Sequence, residues 1–155
     1  MDTIQIIGTS TQELLAQLKI PAKVAVSEFK DDDDKTGYNV EISGDELGVL
    51  IGYHGETLNH LQQILSLIVN NKLEEWVRVI VDIDGWRLQR KEAIAILVQQ
   101  AVLKVRNSSQ SQVLPPMSAH ERRIVHTEII KHEDMTSHSE GEGLSRKVII
   151  EQKKD

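Results

Sequence analysis

The stretch Glu46-Leu-Gly-Val-Leu-Ile-Gly-Tyr-His-Gly-Glu-Thr-Leu-Asn-His60 decides how the rest of the chain is read. An apolar run from Leu47 to Ile51 enters it. Gly52 and Gly55 bracket Tyr53 and His54, and Leu58, Leu61, Leu65 and Ile68 follow at spacings of three, four and three. That pattern predicts a short helix, a tight turn and a longer amphipathic helix. Glycine takes positive φ readily and lets another backbone approach. The amides that open the second helix have no intrahelical acceptor, which suits them to a phosphate. A four-letter Gly-x-x-Gly also arises by chance, so the elements around it must carry the assignment.

A chain of 155 residues suits one domain or two small ones. One Phe, two Tyr and two Trp among 39% apolar residues predict an aliphatic core. The absence of cysteine removes disulfides and thiolate zinc sites. No apolar run approaches the roughly 18 residues of a spanning helix, and no basic segment followed by an apolar one opens the chain. No membrane span or secretory signal is expected, and the cytoplasm is the default location. The formal net charge is −6, which at first argues against nucleic acid. Its distribution argues otherwise: residues 21–84 hold 5 basic and 13 acidic side chains, residues 85–131 hold 8 basic and 3 acidic. Binding responds to the local field, so a phosphate-binding surface is expected in the second half.

Ser10 and Glu13 have capping-box spacing, which predicts a helix over 11–19 ahead of Pro21. Residues 22–29 and 38–43 alternate as strands do. Between them, Lys30-Asp-Asp-Asp-Asp-Lys-Thr-Gly37 reads as a solvated hairpin loop, because four like charges resist packing and lack the alternate spacing of a calcium loop. The glycine turn and its long helix (56–70) come next, and Trp76 to Ile83 is the most strand-like segment in the chain. The order helix, strand, strand, helix, Gly-x-x-Gly, helix, strand resembles a type II KH domain, whose Gly-x-x-Gly loop clamps nucleotides.

Residues 86–106 are good helix formers, with Arg87, Lys91, Ile94, Val98, Ala101 and Val105 down one side. The first turn carries Arg87, Arg90 and Lys91, either ordinary solubilising surface or a phosphate track. Asn107 to Gln112 reads as a polar linker. Ser118 and Glu121 form a second capping-box pattern and predict a helix from Ala119 to about Lys131. Arg122 and His126 lie four apart on one face of it, with Arg123 flanking. Arginine can fork onto a phosphate or stack on a base, and histidine can add a hydrogen bond. The plainer reading is a solvated helix surface, partly packed through Ile129. A turn over 136–143 and a short strand over 145–151 close the chain; Arg146 and Lys147 on that strand extend the basic surface.

His120, His126, His132 and His138 recur every six residues, but a step of six turns a helical side chain to another face, so they do not converge on a metal. No Gly-x-Ser-x-Gly elbow or Walker-type phosphate loop appears. Asp82 and Asp84 project to one side of the last KH strand, as surface carboxylates often do. The sequence names no positioned acid, base or nucleophile, so no enzyme and no cofactor is expected.

Three separated stretches in order are similar to the bacterial Jag family, which joins a KH domain to an Arg-x-x-x-His domain that binds single-stranded nucleic acid. They are Gly48 to Leu58, Val81 to Arg87, and Leu114 to His126 with Ser139 to Gly143. The resemblance implies an α+β fold: a type II KH domain over 11–84, a connecting helix and linker over 85–112, and an Arg-x-x-x-His domain over 113–151. That second domain would be a small three-stranded sheet with packed helices. Residues 1–10 and 152–155 are expected as tails. The ten residues before the KH pattern are too few for the family's N-terminal Jag domain, so no role tied to that domain is expected here. The family clamp is typically basic, whereas this one reads Gly-Tyr-His-Gly, and a missing cation removes a phosphate contact of about 1 kcal/mol. The expected function is non-catalytic binding of single-stranded RNA, with single-stranded DNA as a further ligand, through Gly52, Tyr53, His54, Gly55, Arg87, Arg90, Lys91, Arg122, Arg123 and His126. The alternative is a protein-interaction adaptor that pairs with a small stand-alone KH protein or with itself.

Overall fold

The computed structural model describes all 155 residues, which form two compact units, Met1–Arg87 and Leu88–Asp155. In the first unit, α1 (Thr3–Gln17) precedes an antiparallel hairpin of β1 (Lys23–Lys30) and β2 (Thr36–Ser43). A short α2 (Gly48–Ile51), a 3-10 turn (Tyr53–Gly55) and α3 (Glu56–Leu73) then lead to β3 (Arg78–Ile83), which pairs parallel to β2. The sheet order is β1-β2-β3. Placing β3 parallel to β2 requires a crossover, and the helical segment supplies it. Leu58, Leu61, Leu65 and Val69 line one side of α3 and pack with Val40, Ile42, Val79, Val81 and Ile83 of the sheet. Each fully buried leucine contributes roughly 1.5–3 kcal/mol, so this seam determines where the glycine turn sits.

Two expectations are corrected in this unit. The first ten residues are not a tail. Asp2 and Gln5, not Ser10 and Glu13, make the capping box, with Gln5 N–H donating to Asp2 Oδ1 at 2.8 Å and Asp2 N–H to Gln5 Oε1 at 3.1 Å. Burial of Ile7 draws the first two turns into the helix. Ser10 and Glu13 fall inside α1, where both take hydrogen bonds from Lys72 Nζ at 3.0 Å. That contact also accounts for α3 running three residues beyond its expected end. The aspartate run forms the hairpin loop, closed by Asp31, whose Oδ1 accepts from Asp33 N–H and Lys35 N–H.

The second unit contains most of α4 (Trp86–Ser108), then β4 (Gln112–Val113), α5 (Ala119–Ile130), β5 (Met135–Glu140) and β6 (Lys147–Gln152). Its sheet is antiparallel in the order β4-β6-β5. Ile94, Val98, Ala101, Val102 and Val105 of α4 pack with Val125 and Ile129 of α5 and Val148 and Ile150 of β6. The helix expected to be a connector is thus a core element. The polar linker is partly strand, since Gln112 and Val113 pair with Ile150 and Ile149. The expected turn over 136–143 is mostly β5, followed by a turn at Gly141 (φ 92°) and Gly143 (φ 56°). Its strand character was hidden because Met135 is the only apolar residue in Met-Thr-Ser-His-Ser-Glu. Arg106 clasps Asp134 with hydrogen bonds of 2.7 and 2.8 Å, and those bonds lower the carboxyl's pKa to about 2.

Candidate nucleic-acid interface

The glycine turn is shaped by the protein itself. Gly52 (φ 71°, ψ −171°) ends α2, His54 takes φ 51°, and Gly55 takes φ 80° immediately before α3. A Cβ on Gly52 would strike Thr57, and one on Gly55 would strike the Trp86 ring. Both glycines are therefore required, but the groups that approach them are internal ones, where the sequence reading expected room for a foreign backbone. Gly55 and Glu56 N–H donate back to Gly52 and Tyr53 carbonyls, so the turn offers fewer open amides than an ordinary helix start. What faces outward is aromatic: Tyr53, 66% exposed, stacks on His54 with ring centroids 3.9 Å apart at 14°. No lysine or arginine lies within the turn, and Glu56 follows it directly.

A buttress beneath this turn comes from the segment after β3. Asp84 (φ 47°) and Gly85 (φ 68°) turn the chain, and Asp82 Oδ1 accepts from Ile83 and Arg87 N–H. Trp86 then lies against Gly55. The Arg87 guanidinium turns inward, donating from Nε to Val81 O (2.8 Å), from Nη1 to Asn59 Oδ1 (3.0 Å) and from Nη2 to Gln62 Oε1 (3.2 Å). Gln62 Oε1 also accepts Val81 N–H at 2.9 Å, so the two side chains close the outer edge of β3 and hold α3 to it. Burial lowers the pKa of Arg87, with Asp82 opposing. Arg87 is a positioning residue, not a presented cation, because its donors are consumed within the fold.

Arg90 is corrected in the same way. Its Nε and Nη2 reach the two carboxylate oxygens of Glu121 at 2.6 and 3.3 Å, and Glu121 is only 3% exposed. Ser118 does cap α5, accepting Glu121 N–H at 3.2 Å, while the Glu121 side chain turns to Arg90.

Arg122 and His126 do share a face of α5. Arg122 Nη1 donates to Met117 O at 2.7 Å, and Nε and Nη2 have no protein acceptor. His126 is held between α5 and β5, with Nδ1 2.7 Å from Ser137 Oγ and Nε2 3.0 Å from Ser139 Oγ. Burial lowers its pKa first, and the charges of Arg122 and His138 lower it further. At neutral pH the ring is a neutral donor and acceptor beside a fixed cation. Arg146 reaches the same strand end, donating to Gly141 O at 2.7 Å. The sequence reading missed Ser137 and Ser139; their alternate spacing was the available signal. Lys91 and Arg123 do not join this face. Both are exposed and line a groove on the far side of α5.

Comparison with known proteins places these features. The family model for the KhpA/KhpB KH domain matches residues 11–83, and that for the Arg-x-x-x-His domain matches residues 92–152. The chain is 38% identical over 117 residues to a Clostridium symbiosum protein named RNA-binding protein KhpB, covering 76% of this chain and 53% of that relative. The chain belongs to the KhpB (Jag) family. Proteins of the same printed name from Bacillus subtilis (33% identical, 79% of this chain, 60% of the relative) and Lactiplantibacillus plantarum (31%, 66% and 32%) are also similar. The chain spans about half the length of the first of these KhpB relatives and a third of another. Trp86, Arg87, Arg90 and Lys91 fall between the two matched spans, so the buttress under the turn belongs to neither family model. No helix is long and apolar enough to cross a membrane.

Proposed function

We propose that this KhpB-family chain binds single-stranded RNA in the cytoplasm without catalysing a reaction, with Arg122 and His126 as the main polar contact and the Gly52–Gly55 turn as a guide for the strand. One observation carries the reading: Arg122 keeps Nε and Nη2 open beside a neutral His126 that two serines lock in place. A planar cation with open donors next to a fixed imidazole suits a phosphate and its sugar. Gly52 and Gly55 give the turn its shape, and Tyr53 stacked on His54 offers an exposed ring face to a base. Base stacking of this kind is worth about 1–3 kcal/mol and tolerates any sequence. Arg87 and Arg90 support the surfaces without touching the ligand. The printed name of the relatives is consistent with RNA as the ligand.

Filter binding of single-stranded RNA across a salt series tests this reading. Arg122→Ala is expected to weaken binding about tenfold and to reduce the slope of log K against log salt by about 0.7, one phosphate contact on a single strand. Saturable binding that is unchanged in Arg122→Ala would sink it. Single-stranded DNA as competitor shows whether the 2′-hydroxyl is read. A second reading, an adaptor that pairs with a small KH protein or with itself, is favoured by Ile64, Leu67 and Trp76, which are apolar yet exposed on and just after α3. Light scattering of the purified chain and a pull-down that survives RNase separate the two.

A further inference from the structure

Of the five arginines in the second unit, four have an internal acceptor: Arg90 on Glu121, Arg106 on Asp134, Arg122 on Met117 O and Arg146 on Gly141 O. Arg123 has none. It lines a groove of about 290 Å3 between α4 and α5, together with Lys91, His120, Ile124, Thr127, Glu128 and Lys131. The one carboxylate there, Glu128, is taken by Lys131 at 2.9 Å and so does not neutralise Lys91 or Arg123. The floor is apolar: Ile124 is partly buried, and the Thr127 hydroxyl is turned back onto the Arg123 carbonyl at 2.9 Å. At about 100° per residue, Arg123, Thr127 and Lys131 project away from Arg122 and His126. The groove is thus separate from the Arg122–His126 face.

We propose that this α4/α5 groove is a second nucleotide-binding site, in which Lys91 and Arg123 hold a phosphate of an RNA strand over the apolar floor. Unpaired cations on the rim of an apolar cleft match a phosphate with its attached sugar or base. The cleft sits at the small end of ligand sites, roughly 300–1,000 Å3. A peptide helix, about 10–12 Å across with its side chains, does not fit it. Because it faces away from Arg122, it takes a different segment of the strand, so a longer RNA passes around α5 and contacts both sides. The inference rests on the RNA-binding reading above, and Lys91 extends it beyond the span matched by the Arg-x-x-x-His family model.

The test is fluorescence anisotropy of labelled oligouridylate with the full chain across a salt series, comparing wild type, a Lys91→Ala plus Arg123→Ala variant, a Lys91→Arg plus Arg123→Lys variant and Arg122→Ala. Both groove positions are exposed, and circular dichroism checks that the variants fold. The alanine pair is expected to weaken binding about tenfold and lower the salt slope by about 1.4, two phosphate contacts on a single strand. The charge-conserving pair is expected to retain the wild-type slope. Wild-type affinity and slope in the alanine pair, with binding still reduced in Arg122→Ala, overturn the groove and leave the RNA reading standing. No binding by wild type overturns both. Displacement of the RNA from the groove by polyaspartate, with groove-dependent binding of polyaspartate tighter than of RNA, overturns the RNA assignment in favour of an acidic protein segment.

Discussion

The Gly52–Gly55 turn and the Arg122–His126 face differ in what they leave to a ligand. In the turn, backbone geometry does the shaping. Thr57 and Trp86 fill the space the glycines leave, the nearest arginine spends its donors inside, and the surface presented is a pair of stacked rings. On α5 the helix is ordinary and the side chains carry the chemistry: one arginine tethered at a single nitrogen and one histidine tethered at both. A surface built on backbone shape gains little from salt-sensitive attraction, whereas one built on cations gains much. The chain-wide charge of −6 is compatible with such a division, because only the second region relies on local positive charge.

The comparison breaks most readily at Arg90. If Arg90 is structural, Glu121→Ala leaves a half-buried guanidinium without its carboxylate. Loss of one member of a fully buried pair costs about 3–5 kcal/mol. Arg90's side chain is 29% exposed, so about 2–3 kcal/mol is expected in urea unfolding of the chain. A change below about 0.5 kcal/mol, the level of an ordinary surface substitution, would return Arg90 to the presented cations and erase the distinction.

A smaller effect sharpens the other side. Gly55→Ala forces a side chain into φ 80° and against Trp86, which is expected to destabilise the chain by about 1–3 kcal/mol. In a Trp76→Phe background, where Trp86 is the only tryptophan, its emission is expected to shift to the red as the ring is displaced. Unchanged emission and stability would mean that the turn does not rest on Trp86.

The smallest effect is a titration. The His126 imidazole is expected to protonate below the ordinary 6.5. In Arg122→Gln the midpoint should rise towards 6.5, though not reach it, since burial is the larger cause. Because the folded pKa is the lower one, the unfolded chain binds more protons between that pKa and 6.5. His126 therefore contributes stability that is present above 6.5 and is lost as pH falls towards the folded pKa. NMR of the histidine ring protons in the two proteins checks it. A midpoint above 6.5 in wild type would show that the ring is not the neutral partner described.

The order of elements in the first unit was legible because it follows from periodicity and turn chemistry, both set by neighbours in sequence. The placement of Arg122 and His126 on one side of α5 was legible for the same reason, through the Ser118 cap and the four-residue step. The first half of α1 was not, since Ile7 is helical through what it packs against. Nor was β5, whose inward residues are serines satisfied by His126 rather than apolar residues satisfied by a core.

The sequence by itself therefore determined that two glycines join a short helix to a long one, and that a basic segment follows an acidic one. Only the tertiary structure decided which basic residues are presented. Arg87 meets Asn59 and Gln62 across separations of 28 and 25 residues, and Arg90 meets Glu121 across 31. A guanidinium is open or spent according to acceptors that distant chain segments bring to it, and local pattern carries no record of them. Arg87 and Arg90 became struts, and Arg122 and Arg123 were left facing out on two sides of the same helix.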